Sequence, residues 1–159
     1  MKVLTALLAL AVPATALAQK ENDPYLSLRL EIERAIQRGN AFLMSQQQEG
    51  KYWADPNIPA LPAHALTAVA SDPNREGKLD PKIEASFEWL LANQKDDGGI
   101  YGKGLASYNT ACSMMALLAR GNEGDEPAIL KARGFLINQQ TDWGLKGDTD
   151  NKYDGGVGY

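Results

Sequence analysis

Internal repetition constrains this chain more than any other feature. Six-residue strings of one pattern start at Phe42 (FLMSQQ), Trp89 (WLLANQ) and Phe135 (FLINQQ), 47 and then 46 residues apart. Each reads aromatic, Leu, aliphatic, small or amide, polar, Gln. A turn rich in Gly and aromatic residues follows each one: EGKYW, DDGGIYGKG, and TDWGLKG running on to DGGVGY. A second pair of strings, PAHALTAVA from Pro62 and TACSMMALLA from Thr110, lies 48 residues apart. A period of this size marks units that cannot bury an apolar face alone and gain a core by stacking.

Each unit reads as a helical hairpin. Asp23-Pro24 and Asp80-Pro81 each pair an N-cap carboxylate with a proline at the first helical position. In the first helix Leu26, Leu28, Leu30, Ile32, Ile36, Leu43 and Met44 supply the apolar side. Its early residues alternate like a strand, but Glu31, Glu33, Arg34 and Ala35 are good helix formers, and the helix is expected to end near Gln48, before Gly50. Ile83, Phe87, Leu90 and Leu91 fall on one helical face. Asp125 is expected to cap the third such helix, with Ile129, Leu130, Ala132, Leu136 and Ile137 following. Partner helices are expected over 61–71 and 107–120, the second stopped by Gly121. No run has strand character at the repeat spacing. The class is all-α, built of stacked hairpins of about 46 residues.

Residues 1–18 read as a secretory signal peptide. Lys2 gives the positive start, residues 3–12 the apolar stretch, and Ala16-Leu17-Ala18 the cleavage signal after Pro13. That stretch is too short to span a bilayer, which takes about 20 residues. The folded part is then 19–159, with no transmembrane span, in a secreted or periplasmic protein. A net charge of −4 offers no basic surplus for a phosphate backbone, so nucleic acid is not expected as a partner. One Cys and one His leave no intrachain disulfide framework and no Cys-based or His-rich metal site. No metal and no cofactor are expected, and Cys112 reads as a buried, inert thiol.

The string from Arg38 to Trp53 resembles the QW motif of the prenyltransferase/squalene oxidase repeat superfamily, which includes squalene–hopene cyclases. Arg38, Gly39, Phe42, Leu43, Gln47, Gly50 and Tyr52 carry the match. The second unit keeps Trp89, Leu90, Gln94, Gly99 and Tyr101, and the third keeps Phe135, Leu136 and Gln140. The resemblance implies an α/α toroid, with outer and inner rings of helices around an apolar cavity. It also implies that Gln47, Gln94 and Gln140 tie a helix end to neighbouring backbone while Phe42, Trp89 and Phe135 pack beneath. A helix C-terminus leaves carbonyls without partners, and a Gln amide can donate to them. Only two and a half hairpins are present, so the toroid is partial. The chain therefore reads as part of a longer protein, or else as a short chain that closes a ring by self-association.

Chemistry could reside in Asp148-Thr149-Asp150-Asn151. Squalene–hopene-type cyclases carry an Asp-x-Asp-Asp motif whose middle Asp, kept protonated, protonates an alkene and starts a carbocation cascade. By that resemblance Asp150 is the acid and Asp148 the first Asp, with Asn151 replacing the last. The residues by themselves read as a solvated acidic turn between Gly147 and Gly155. A calcium loop fails, because Lys152 stands where a third oxygen ligand belongs. His64, Tyr108, Cys112 and Met114 lie in the partner helices. If those helices form an inner ring, His64, Tyr108 and Met114 line its cavity. Zinc of the protein-prenyltransferase kind lacks its Asp-x-Cys pair here. Two readings of function follow. The first is an exported, non-catalytic protein that binds an apolar small molecule or a protein partner. The alternative is a terpenoid cyclase-like isomerase.

Overall fold

The computed structural model describes residues 24–75, 77–140 and 156–158. Among them are five α-helices: α1 (Leu26–Ser45), α2 (Ala60–Ala70), α3 (Pro81–Ala92), α4 (Ala106–Arg120) and α5 (Glu126–Asn138). A 3-10 turn, Glu123–Asp125, joins α4 to α5. Extended pairing among the described residues is limited to isolated bridges, such as Gln48 with Tyr52 and Gln94 with Ile100. The fold is all-helical, and its helices pack as hairpins. The 1–18 leader and Asp23 lie outside the described residues.

The chain divides into two units, Met1–Ile36 and Gln37–Tyr159. In the first, the described residues form the start of α1. Leu26, Leu28, Leu30 and Ile32 are between 38% and 53% exposed, so the apolar side expected there is uncovered. Their alternating spacing spreads them around the helix instead of along one stripe.

In the second unit α2 packs most extensively on α4, with further packing of α4 on α5 and of α2 on α3. Ala60 and Ala63 of α2 and Ala116 of α4 are fully buried. Their small side chains let these helices approach closely. Leu66, Ile83, Phe87, Leu90, Ile100 and Leu117 complete the core without solvent exposure. Burying each such side chain is worth about 1.5–3 kcal/mol.

The helix ends follow local chemistry. Asp80 caps α3 by accepting from the Lys82 N–H at 2.8 Å, with Pro81 next to it. Gly121 ends α4 at φ 68°, in the left-handed region. α1 ends at Ser45, sooner than expected, because Trp53 folds back and donates its indole N–H to the Leu43 carbonyl at 2.6 Å. Asn93 does the same for α3, donating to the Trp89 carbonyl at 2.9 Å. Asp125 departs from expectation. Its side chain makes no cap bond to α5; Asn122 instead caps the 3-10 turn through the Gly124 N–H at 3.0 Å.

Asp125 is 3% exposed and turns inward to Arg120, whose Nη1 donates to both carboxylate oxygens at 3.2 Å. Nη2 of Arg120 reaches Glu84 at 2.5 Å and Glu88 at 3.3 Å, and the guanidinium lies 4.9 Å from the Phe87 ring centre. One cation thus joins the end of α4 to α3 and to the turn before α5. Burial pushes the Asp125 carboxyl above its ordinary range, against the pull of Arg120.

Candidate functional site

Two arrangements stand out: the links between successive hairpins, and the face shared by α2 and α4. The links are built from the residues that follow each Phe/Trp-Leu string. The Gln47 amide donates to the Lys82 carbonyl at 3.0 Å and to Ser86 Oγ at 2.6 Å. Gln94, 47 residues on, donates to the Gly98 carbonyl of its own turn and to the Ala128 carbonyl, both at 2.9 Å. Lys82 and Ala128 both lie in the first turn of the helix that opens the next hairpin, α3 or α5.

The glutamines therefore grip the beginning of the next hairpin's first helix. The C-terminal carbonyls, where their action was expected, are served at α1 by Trp53 and at α3 by Asn93. A helical carbonyl already engaged along the helix keeps a second lone pair for such a donor.

Aromatic rings reinforce each link. Tyr52 meets Trp89 with ring centres 5.6 Å apart, and Tyr101 meets Phe135 at the same 5.6 Å. These tilted pairs add about 0.5–1.5 kcal/mol beyond their burial. Tyr101 is held by its own donation to Asp97 Oδ2 at 2.7 Å, a bond that raises the phenol pKa. Asp97 also accepts from the Gly99 N–H at 2.9 Å, closing the turn of the DDGGIYGKG string. Gly98 and Gly102 bring these turns into close contact with other backbone. A side chain at Gly98 would meet the Lys131 carbonyl, and one at Gly102 would meet that of Asn57.

Gln140 extends the spacing. Its backbone bridges to Val157. Phe42 differs from Trp89 and Phe135 in being 62% exposed.

The second arrangement lies on helices that contribute one face each. His64 of α2 is exposed, and its Nε2 sits 2.9 Å from Tyr108 Oη of α4. The same nitrogen is 3.5 Å from Cys112 Sγ. His64 and Cys112 hold matching places in their helices, 48 residues apart. Their meeting follows from the close packing of α2 on α4.

Burial raises the Cys112 thiol pKa, partly offset by its hydrogen bond with Tyr108. A raised pKa keeps the sulfur protonated and works against thiolate chemistry. Leu61 and Leu105, one turn before His64 and Tyr108, and Met115 of α4 are exposed apolar side chains, at 38%, 43% and 57%. Met115 lies two turns beyond Tyr108 on the same side of α4, whereas Met114 packs half-buried against the core. These exposed apolar side chains beside the His64 and Tyr108 polar atoms can meet the apolar body and one hydrogen-bonding group of a small molecule.

Asp148 and Asp150 lie outside the described residues. Among the described residues no three His, Cys, Asp or Glu side chains gather as a metal ion would require. No helix there is long and apolar enough to cross a membrane. Sequence reasoning missed the Arg120 cluster and buried Asn109. The Asn109 side chain accepts from the Ala60 N–H at the start of α2 and donates to the Gly104 carbonyl. The 48-residue offset that aligns His64 with Cys112 was the available signal for their pairing.

No family model matches the chain. No solved structure matches it. Among curated proteins, it is similar to a terpentedienyl-diphosphate synthase of Kitasatospora griseola, 31% identical over 115 residues. That match covers 60% of this chain and 23% of the synthase. The likeness is to a terpene synthase, over less than a quarter of that enzyme's length.

Proposed function

We propose that this chain is an exported, terpenoid-cyclase-like protein of toroid-forming helical hairpins that binds an apolar, isoprenoid-type ligand on the α2–α4 face. The observation that carries this reading is the His64–Tyr108–Cys112 cluster, set on an otherwise apolar, exposed surface. The aliphatic body of the ligand lies over Leu61, Leu105 and Met115. Its single polar end exchanges hydrogen bonds with His64 and Tyr108. Met115, and not Met114, is the methionine that faces it.

Titration with geranylgeraniol, followed by intrinsic fluorescence and by calorimetry, tests the reading. Saturable binding that weakens in Tyr108→Phe and His64→Ala supports it. Absence of binding, or binding indifferent to both changes, overturns it.

The likeness to a terpene synthase favours a second reading, in which the protein of which these hairpins are part cyclises a terpenoid substrate. Asp150 would then supply the proton and Asp148 would hold it in place. An ordinary carboxylic acid is a weak acid for an alkene, so the apolar wall and nearby aromatic rings would have to stabilise the cation. Conversion of squalene that disappears in Asp150→Asn supports this second reading. Conversion that persists in that variant overturns the assignment of the acid.

A further inference from the structure

Asn109 of α4 is fully buried, next to Tyr108 in sequence. Taking a primary amide out of water is unfavourable unless both of its ends are bonded. Both are. Its Oδ1 accepts from the Ala60 N–H at 2.9 Å, and its Nδ2 donates to the Gly104 carbonyl at 3.0 Å.

Ala60 opens α2, and the first N–H groups of a helix find no partner along the helix itself. Pro59, before it, makes no side-chain cap bond. A side chain of α4 therefore completes the start of α2. Gly104 lies just before α4, so the same amide also holds the start of its own helix.

His64 stands one turn after Ala60, and Tyr108 directly precedes Asn109. The register fixed at the two helix starts is thus the register at which His64 Nε2 lies 2.9 Å from Tyr108 Oη and 3.5 Å from Cys112 Sγ.

The clamp has a second effect. Gly104 and Leu105 both have left-handed backbone, at φ 73° and 51°. Leucine rarely adopts that conformation. Asn109 holds the Gly104 carbonyl through its amide, and its backbone N–H donates to the Leu105 carbonyl at 2.9 Å. The strained turn before Tyr108 is thereby locked.

The links between hairpins recur at the repeat spacing, as Gln47 and Gln94 do. Asn109 does not recur. The matching position of α2, 48 residues earlier, is Leu61. The clamp is particular to the place where His64 and Tyr108 meet.

We infer that Asn109 is the positioning residue of the α2–α4 site: it fixes the start of α2 against the start of α4, and so brings His64 and Tyr108 to one point with Leu105 held beside them. The inference rests on the reading of that face as a ligand site. Asn109 itself is buried and touches no ligand.

Proton NMR reads the register. The chain has one histidine, so the cross-peak between its imidazole and the Tyr108 ring, with ring centres 6.0 Å apart, reports this contact alone. Asn109→Ala should abolish the cross-peak and weaken geranylgeraniol binding about tenfold, the size of one misplaced hydrogen bond. Thr110→Ala is the control. Thr110 is as buried as Asn109, but its hydroxyl accepts from the Ile100 N–H instead of from α2. Its loss should lower the melting temperature and leave cross-peak and affinity unchanged. Hydrogen exchange in the wild type needs no variant to fold: the Ala60 N–H should be protected, whereas an unbonded first-turn N–H exchanges quickly.

An Asn109→Ala chain that melts lower yet keeps the cross-peak overturns the inference, and so does fast exchange at Ala60. Loss of the cross-peak with affinity unchanged overturns the role in the site. A wild type that binds no geranylgeraniol overturns the ligand reading instead, and the cross-peak still decides whether Asn109 sets the register.

Discussion

The Gln94 amide meets the Ala128 carbonyl at 2.9 Å across 34 residues of sequence, joining the turn after α3 to the first turn of α5 in the next hairpin. Gln47 and Lys82 make the matching contact at 3.0 Å. Removing such a donor strands no buried charge, so its effect is that of an ordinary hydrogen bond. Gln94→Ala should lower stability by about 1–2 kcal/mol, given a typical net contribution near 1 kcal/mol per bond and the two bonds that this amide makes. Thermal melts read the change directly. A melting temperature equal to wild type would remove the linking role.

Arg120 is a different case, because its loss leaves Asp125 buried without a counter-charge. Breaking a buried pair from one side costs about 3–5 kcal/mol. Arg120→Ala should lose that much in urea unfolding at neutral pH. The sign of the pH dependence follows from Asp125. Its folded pKa lies above the unfolded one, so its contribution to stability is fullest below the ordinary carboxylate range and is lost as pH rises through the raised value. The deficit of the variant should therefore shrink as pH falls toward about 4. A deficit that grows on acidification would contradict the assignment.

Two glycines should respond to alanine in opposite directions. Gly102→Ala drives a methyl group into the Asn57 carbonyl and should cost about 1–3 kcal/mol, the usual range for overpacking. Gly39→Ala meets open space inside α1 and should gain about 0.5–1 kcal/mol from helix propensity. Denaturant midpoints of the two variants on either side of the wild-type value would bear this out. A gain from Gly102→Ala would show that the two turns do not touch.

The thiol of Cys112 should titrate above a free cysteine. Ultraviolet absorbance of the thiolate against pH measures this. Burial raises the pKa and the Tyr108 bond lowers it, so Tyr108→Phe should move the titration further up. A downward move would mean that the phenol is not a donor to the sulfur. Alkylation of Cys112, which is 6% exposed, should be slow in the folded chain and should accelerate with denaturant.

The parts of the fold legible in the sequence are those written in local chemistry. Asp80-Pro81 announces the start of α3 and Gly121 the end of α4, because caps and stops depend on a few adjacent residues. The spacing of Ile83, Phe87 and Leu90 marks the face that is buried. Where sequence reading failed, packing that the local pattern does not encode had decided the outcome. Asp125 looks like a cap until Arg120, five residues earlier, claims it. The alternation from Leu26 to Ile32 suggests an apolar side, yet no buried residue lies in α1. The glutamine spacing marked the linking residues, but not which carbonyl each would reach, since that depends on how consecutive hairpins lean together. On the candidate site, His64 and Tyr108 were legible as residues of the partner helices. Their contact was not, because it needs the angle between α2 and α4.

The links described here join only neighbours: one amide and one ring of a hairpin hold the first helix of the next. A chain fastened in that way has the mechanics of a row of buttons. Pulled by its ends, it should open one fastening at a time, giving a sawtooth of small, similar forces. A change that loosens the Gln47 fastening should lower one tooth of that trace and leave its neighbour untouched.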